Sequence, residues 1–425
     1  MKVAVVGAGW AGLAAAVRAT QAGHAVTVFE AAAMPGGRAR SDDADAAALD
    51  NGQHILLGGY ARTLGLMRTV GVDPDAALLR TPLAITYPDG SGLALPGGAL
   101  AAVRGLLAAR GFSAGDKLSL LATVARWRRA GYRCDDTLTV DALLRRCTQR
   151  VRAKLLEPLC VAALNTPPSQ ASAAVLLAVL QDSLFGAPGA SDLLLPRRPL
   201  AQLLPLPATA WLRTQGVPVL LRRRIQALQQ DGEHWVAVED RSAVAARFDR
   251  VIVATPATEA ARLVAPIEPG WAAQAAALAH EPIVTLVLHA PPRTWPAPML
   301  ALECDASHRP AQFAFRLGPQ DPAFDRVTLV VSAAGDWLAR GSDAIAAAAQ
   351  AQYRETFAIA DHERIDCVDL RADRRATFRC IAGVRRPPQR IAPGLSAAGD
   401  YVAGRYPATL EAAVISGEEA AEGIG

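Results

Sequence analysis

Three glycines and one acidic residue near the start of the chain have the types and spacing that bind a dinucleotide. Gly7, Gly9 and Gly12 form a Gly-x-Gly-x-x-Gly pattern, and Glu30 follows them. The first glycine permits a tight turn, the second lets the backbone approach a pyrophosphate, and the third lets a helix pack closely against a strand. The carboxylate of Glu30 can accept hydrogen bonds from a ribose 2′-hydroxyl, which favours FAD or NAD over NADP.

The elements that must position these groups can be read from the surrounding residues. The apolar run 3–6 is typical of a buried parallel strand, residues 11–22 have a helical pattern, and residues 25–29 predict a second strand that ends at Glu30. In this order the helix N-terminus offers free N–H groups and partial positive charge to the phosphates. A glycine-rich loop with no ligand is the alternative interpretation.

The segment after Glu30 distinguishes between the two remaining cofactors. Gly36, Gly37 and Arg38 form a Gly-Gly-Arg run, with Arg40 two residues further on. This run resembles the superfamily of FAD-dependent amine oxidases, protoporphyrinogen oxidases and phytoene desaturases. The resemblance implies FAD, with the glycine backbone against the cofactor and Arg38 at its phosphates. Solvated loop charges are the alternative for Arg38 and Arg40.

A second motif contains a residue that can transfer protons. The sequence Asp-Asn-Gly-Gln-His-Ile-Leu-Leu-Gly, residues 50–58, resembles the hydroxysqualene dehydroxylases, also called squalene-associated FAD-dependent desaturases. In the superfamily this segment runs from the phosphates to the flavin ring. His54 is therefore a candidate proton donor, since histidine titrates near neutral pH, and a structural histidine is the alternative.

The C-terminal region carries the superfamily's second cofactor motif. The resemblance implies that Gly399 and Asp400, at the end of a strand, bind the pyrophosphate and the ribityl chain. It also implies a helix that begins near Thr409 and points its N-terminus at the flavin. Tyr406 lies just before that helix and is the second candidate proton donor, ranked below His54 because the ordinary pKa of tyrosine is about 10.

A segment in the middle of the chain is also predicted to contact the cofactor. Residues 217–221 predict a strand, and the resemblance places Val219 or its neighbour against the adenine; a plain core position is the alternative for Val219. Residues 154–167 extend the resemblance to the dehydroxylases. In that segment Asn165 and Thr166 either cap a helix before a proline or line a substrate pocket.

Composition excludes several classes of protein. The net charge of +4 over 425 residues is too small for a nucleic-acid-binding surface. The six cysteines are widely spaced without a Cys/His cluster, which argues against a metal site and fits a reduced cytoplasmic setting. The glycine-rich, strand-forming start argues against a signal peptide.

We therefore predict an α/β fold with a Rossmann-like FAD-binding domain of the glutathione-reductase type and an inserted mixed α+β substrate domain. Residues 1–65, 208–265 and 375–425 are assigned to the FAD-binding domain. Residues 66–207 and 266–374 are assigned to the substrate-binding domain. A chain of this length is too long for one simple core.

Residues 98–129 predict apolar helices rich in arginine. Ordinary packed helices are one interpretation. The other is a surface that touches a membrane and admits a lipid, as basic amphipathic helices can. On that interpretation the protein is cytoplasmic and peripheral on the inner face of the cell membrane.

The resemblance implies reduction of hydroxysqualene to squalene, an isoprenoid lipid reaction of hopanoid synthesis. A carotenoid-type desaturase transfers the hydride in the opposite direction and is the first alternative. An amine oxidase is less favoured, because Thr409 occupies a position where many amine oxidases carry a flavin-facing aromatic residue. A non-catalytic FAD-binding scaffold is the alternative from another class. The physiological electron donor is not identified by the residues.

Overall fold

The structure is a computed structural model of the 425-residue chain. It describes residues 1–43, 49–95, 99–184, 186–239, 246–316 and 324–424, and within these ranges the side chains of residues 99–103, 184 and 246 are left out. Gly98 and the side chain of Val103, which belong to the predicted membrane-contacting helices, lie outside the described part.

The strands of the described residues pair into five sheets. In chain order they are β1 (Lys2–Val6), β2 (Ala25–Phe29), β3 (Leu56–Leu57), β4 (Leu78–Thr81), β5 (Leu83–Thr86), β6 (Gly92–Leu95), β7 (Leu193–Pro196), β8 (Val219–Leu220), β9 (Ile225–Asp231), β10 (His234–Glu239), β11 (Ala246–Phe248), β12 (Arg250–Val253), β13 (His280–Ala290), β14 (Met299–Ala301), β15 (Phe313–Phe315), β16 (Asp325–Val331), β17 (Asp366–Phe378), β18 (Arg390–Ala392) and β19 (Leu395–Ala397).

The three-stranded sheet β9–β11 packs on one face of the largest sheet, and helices pack on the other. In chain order they are α1 (Trp10–Gln21), α2 (Ala61–Thr69), α3 (Pro74–Ala77), α4 (Ala99–Ala108), α5 (Ala114–Arg129), α6 (Val140–Leu143), α7 (Gln149–Val151), α8 (Glu157–Leu164), α9 (Ala173–Leu184), α10 (Leu200–Leu203), α11 (Pro205–Thr214), α12 (Ala257–Val264), α13 (Pro269–Ala276), α14 (Gly335–Leu338), α15 (Ser342–Thr356) and α16 (Leu410–Glu422). A π-helical turn, Arg152–Leu156, joins α7 to α8.

The largest sheet holds the dinucleotide pattern. Its six strands lie in the order β18-β19-β12-β1-β2-β8, and all neighbours are parallel except β18 and β19. β1 is central because Val3, Val5 and their neighbours are fully apolar and buried on both faces. In a sheet of this kind ligands bind outside the carboxyl ends of the strands, so the glycine loop after β1 marks the binding edge.

Two glycines bring α1 and α16 into close contact with the rest of this domain. A Cβ on Gly12 would lie 1.9 Å from the carbonyl oxygen of Gly7, and a Cβ on Gly417 would lie 2.1 Å from the carbonyl oxygen of Ala11. Both distances are far below any real contact, so only glycine allows this packing. Residue 417 thereby fixes the C-terminal helix against the N-terminal helix.

The five-stranded sheet, in the order β14-β15-β16-β13-β17, is antiparallel. Along β13 the side chains of Val284, Leu286 and Leu288 pack with α15 in one core. The alternating residues, including Thr285, therefore project from the opposite face of the sheet. A Cβ on Gly52 would lie 3.6 Å from Thr285 Oγ1, so that face looks towards the segment carrying His54.

The predicted fold class is confirmed, since a parallel sheet with the dinucleotide pattern is combined with a separate antiparallel sheet and helices. The domain boundaries at 65, 207, 265 and 374 stay a prediction. β5 pairs with β6 and β9 pairs with β10, each in an antiparallel hairpin. No helix in the described part of the chain is both long and apolar enough to span a bilayer.

Asn165 and Thr166 tie α8 to the antiparallel sheet. Asn165 has a left-handed backbone (φ 44°), and its amide nitrogen donates to the Glu281 carbonyl and to Thr377 Oγ1. Its amide oxygen accepts from the Ala333 N–H, so both ends of the side chain are engaged. These contacts favour the helix-terminating interpretation of this segment over pocket lining.

Candidate cofactor site and active site

Two glycine loops cross at the N-terminus of α1. Gly7 has a φ of 112°, and Gly9 pairs with Gly36 in an isolated parallel bridge. The Gly36 N–H donates to the Ala8 carbonyl at 2.8 Å. A Cβ on Gly37 would lie 3.2 Å from Gly9 Cα. The two glycine loops form a cradle that side chains would fill. Its N–H groups include those at the N-terminus of α1, and such groups favour the binding of a pyrophosphate.

Glu30 closes one side of the cradle. Its carboxylate accepts the Ala8 N–H and the Ala32 N–H, each at 2.7 Å. A carboxylate has about four acceptor sites, so two remain for ribose hydroxyls. The structure thus gives Glu30 a loop-ordering role that the sequence pattern did not predict, alongside the predicted ribose contact.

Arg38 bridges the first and last cofactor motifs. Its guanidinium donates to the carboxylate of Asp400, which is 7% exposed, and to the Ala376 carbonyl at 2.7 Å. The two residues are 362 positions apart in the chain. Arg38 is therefore held by the fold, in contrast to the alternative of a solvated loop charge. Its role at the FAD phosphates stays a prediction.

The N-terminus of α16 lies beside that of α2. Thr409 is the N-cap of α16 and accepts the Ala412 N–H at 3.1 Å, and Tyr60, the N-cap of α2, hydrogen-bonds the Thr409 side chain. Gly399 donates its N–H to Ser416 Oγ, which ties the Gly399-Asp400 turn to α16. The predicted start of the helix at Thr409 agrees with the structure.

Glu411 joins these two helices and was missed by the sequence reasoning. It is 4% exposed, and its carboxylate accepts the N–H of Arg62, the N–H of Thr63 and the Thr63 hydroxyl at 3.0, 2.9 and 2.6 Å. A negative charge at the N-terminus of α2 is favourable because the helix dipole is positive there. An acidic residue in the first turn of the C-terminal helix was the signal available in the sequence.

His54 is half-buried and has Arg38, Asp50 and Asp373 as its charged neighbours. Its Nδ1 lies 2.9 Å from the Gly52 carbonyl oxygen, so Nδ1 carries the proton of the neutral ring and Nε2 is an acceptor. Burial lowers the pKa of His54 below its ordinary 6.5, with Gly52 and Asp50 acting in the opposite direction. The ring is thus mainly neutral at pH 7, and its role as an acid stays a prediction.

Tyr406 is held by a different partner. Its hydroxyl donates to Asp182 on α9 at 2.9 Å, and Arg405 forms an ion pair with the same carboxylate. Burial, together with the hydrogen bond to Asp182, raises the pKa of Tyr406 to about 12. No contact among the described residues joins Tyr406 to His54. Its catalytic role also stays a prediction.

Val219 lies on the edge strand β8, where it pairs in parallel with Val28 of β2, and it is 8% exposed within the core of the parallel sheet. This placement agrees with the alternative interpretation, in which Val219 is a core residue. An adenine contact at β8 stays a prediction.

Three further hydroxyls near these motifs are enclosed and lack a hydrogen-bond partner. They belong to Thr255, Thr285 and Tyr401. Buried polar groups are almost always hydrogen-bonded, so each requires an explanation. No sequence motif indicates these hydroxyls, beyond the position of Tyr401 directly after Asp400.

The residues present fit FAD. The glycine cradle leaves room for backbone contact, Glu30 retains acceptor capacity, and Arg38 supplies a positive charge. Residues 10–425 match the sequence model of a protein family described as "flavin containing amine oxidoreductase". This match decides that the cofactor is a flavin. The chain belongs to the flavin-containing amine oxidoreductase family. It is an FAD-dependent oxidoreductase, as the sequence predicted.

Curated relatives extend over the whole chain. The chain is 29% identical to a hydroxysqualene dehydroxylase from Zymomonas mobilis, over 98% of this chain and 97% of that one. It is 28% identical to a hydroxysqualene dehydroxylase from Rhodopseudomonas palustris, over 99% and 97%. A 15-cis-phytoene desaturase from Synechococcus elongatus is 22% identical over 100% and 96%. The predicted resemblance to hydroxysqualene dehydroxylases is confirmed.

Solved structures share the fold. An oxidoreductase from Methanosarcina mazei superposes with a TM-score of 0.77 at 15% identity, covering 99% of this chain and 100% of that chain. Cyclohexylamine oxidase from Brevibacterium oxydans superposes with a TM-score of 0.70 at 19% identity, covering 100% and 98%. At these identities the comparison concerns the fold alone.

Proposed function

We propose that this FAD-dependent oxidoreductase reduces hydroxysqualene to squalene. The observation that carries the proposal is the similarity to two hydroxysqualene dehydroxylases over nearly the whole length of both chains. In the proposed reaction the allylic C–O bond breaks, the oxygen takes one proton and leaves as water, and the carbon receives a hydride. FAD, when bound in its reduced form, would supply the hydride, which carries both electrons of the reduction.

The chain's own residues have two tasks in this reaction. Glu30, Arg38 and Asp400 hold and orient the cofactor, as their contacts around the glycine cradle suggest. His54 then delivers the proton to the leaving oxygen, because hydroxide is a poor leaving group and needs an acid within hydrogen-bond reach. Its imidazole acts from Nε2, since Nδ1 is engaged by Gly52.

A carotenoid-type desaturase remains the second candidate, and the similarity to a phytoene desaturase favours it. In that reaction the lipid would lose a hydride to oxidised FAD and a proton to a base, so no leaving oxygen and no acid would be needed. An amine oxidase is disfavoured, because Thr409 is engaged in capping α16 and offers no aromatic face to a substrate nitrogen. Anaerobic incubation of the reduced protein with hydroxysqualene separates the first two candidates, since only a dehydroxylase reoxidises the flavin.

We further propose that α4 and α5 rest on a membrane. Six large hydrophobic side chains are exposed in the described part of the chain, and three of them, Leu107, Leu118 and Leu121, lie on these helices. Leu118, Leu121 and the exposed Arg129 share one face of α5 by helical spacing. Trp127 on α5 is 7% exposed and packs in the core, so leucine side chains would make the apolar contact.

Charge reversal tests this surface. Changing Arg104, Arg128 and Arg129 to glutamate should abolish flotation of the holoprotein with anionic liposomes, because each arginine near such a surface contributes about 1 kcal/mol. A matched triple variant at three exposed arginines elsewhere, Arg213, Arg247 and Arg364, should float like the wild type. Equal flotation of all three proteins would contradict the proposal.

A further inference from the structure

Three enclosed hydroxyl groups lie near the segments predicted to bind the cofactor. Tyr401 is 3% exposed and Thr285 is 6% exposed, while Thr255 is partly exposed with an enclosed hydroxyl oxygen. None of the three hydroxyls has a hydrogen-bond partner. A buried hydroxyl without a partner is unfavourable, and a ligand that completes its hydrogen bonds is one physical reason for a fold to retain it.

Thr255 marks the diphosphate end of the site. It follows β12, whose carboxyl end lies next to that of β1 in the parallel sheet. The backbone nitrogen of Thr255 lies 3.4 Å from the point that a Cβ on Gly7 would occupy. Its hydroxyl therefore stands at the mouth of the glycine loop, on the edge of the sheet where ligands bind.

Tyr401 stands at the middle of the site. Its ring edge occupies the side-chain space of Gly399, since a Cβ there would lie 2.6 Å from Tyr401 Cε1. Asp400 and Arg38 are its charged neighbours, and burial is the main reason that the pKa of its phenol is raised. The hydroxyl therefore remains protonated and able to donate a hydrogen bond close to the Arg38–Asp400 pair.

Thr285 stands at the end that carries His54. The point that a Cβ on Gly52 would occupy is 3.6 Å from Thr285 Oγ1 and 3.8 Å from His54 Cε1. The hydroxyl and the imidazole thus flank the same backbone position. Thr285 lies on the face of β13 opposite the α15 core, so its hydroxyl is directed at this segment.

We propose that FAD itself supplies the missing hydrogen-bond partners of Thr255, Tyr401 and Thr285, in that order from its diphosphate end to its ring end. The cofactor carries phosphate oxygens, ribityl hydroxyls and ring nitrogen and oxygen acceptors along its length, which match the three donors. The proposal concerns FAD binding and does not depend on the identity of the lipid substrate.

Tyr353 provides a matched control. Its hydroxyl is also enclosed without a satisfactory partner, but the residue lies on α15 in the core on the opposite face of β13, beside Trp295. It lies remote from the glycine cradle in the fold. Removing this hydroxyl should change core packing only, so it separates loss of a cofactor contact from the general effect of losing a buried hydroxyl.

The test measures FAD release from purified holoprotein on dilution, followed by flavin fluorescence. Tyr401→Phe, Thr285→Val and Thr255→Val should each raise the Kd for FAD roughly tenfold, a change of about 1.4 kcal/mol. Tyr353→Phe should leave it within about twofold, and Thr285→Ser should restore wild-type binding. Thr285→Val alone should also alter the visible spectrum of bound FAD, since it lies at the ring end.

Circular dichroism of each variant confirms that the fold is intact before the Kd values are compared. Wild-type FAD affinity in Tyr401→Phe or in Thr285→Val would overturn the proposal, as would an equal loss in Tyr353→Phe. Failure of hydroxysqualene turnover would affect the proposed function only, because no lipid substrate enters these measurements.

Discussion

Replacing His54 with alanine should lower the rate at which hydroxysqualene reoxidises the reduced flavin by roughly 10²–10⁴-fold, the usual contribution of a positioned acid. FAD should stay bound, because the described contacts of His54 are to the backbone of its own segment. Single-turnover absorbance measurements under anaerobic conditions give the rate directly. His234→Ala, at an exposed histidine on β10, should keep the wild-type rate.

The same step should depend on pH in a definite direction. Burial lowers the pKa of His54, so the protonated ring predominates only below a pH that is itself below 6.5. The rate should therefore be highest at low pH and fall as pH rises through that lowered pKa. A profile that His54→Ala leaves unchanged in shape and height would assign the proton to another group.

Replacing Glu411 with alanine should lower the free energy of unfolding by about 3–5 kcal/mol, because one buried N–H, one partly buried N–H and one buried hydroxyl lose a charged acceptor. The N-terminus of α2 would also lose its favourable charge. Denaturant unfolding of the holoprotein measures the change, and Glu411→Gln should give an intermediate loss because it keeps one acceptor oxygen.

Glu422→Ala is the matched control on the same helix. Its carboxylate pairs with Arg18 at the surface and is 38% exposed, so the loss should stay below about 1 kcal/mol. Similar destabilisation by Glu411→Ala and Glu422→Ala would show that the link between α2 and α16 contributes little to stability.

Local patterns predicted the elements of the cofactor domain well. The strand, glycine turn, helix, strand and acid at residues 3–30 follow from apolar periodicity and from the backbone freedom of glycine, which depend on neighbours in sequence. These features agree with the structure because each is determined within a few residues. The start of the C-terminal helix near Thr409 came instead from the family resemblance, and it agrees with the structure, in which Thr409 is the N-cap.

Contacts between distant residues could not be predicted in the same way. Glu411 and Thr63 are 348 positions apart, and Tyr406 and Asp182 are 224 apart. Each pair depends on how separate helices pack, which no periodicity encodes. The family resemblance located the cofactor motifs but gave no information on hydrogen-bond partners. For this reason the environment of His54, its tautomer and its lowered pKa, became visible only in the fold.

The central claim is that reduced FAD in this protein transfers a hydride to the allylic carbon of hydroxysqualene. The most direct measurement is anaerobic single turnover in D₂O, where the transferable hydrogen of reduced flavin exchanges with solvent, followed by mass analysis of the lipid product. The account predicts stoichiometric flavin reoxidation and squalene that carries one deuterium. Unchanged hydroxysqualene with the flavin still reduced, or squalene without deuterium, would contradict it.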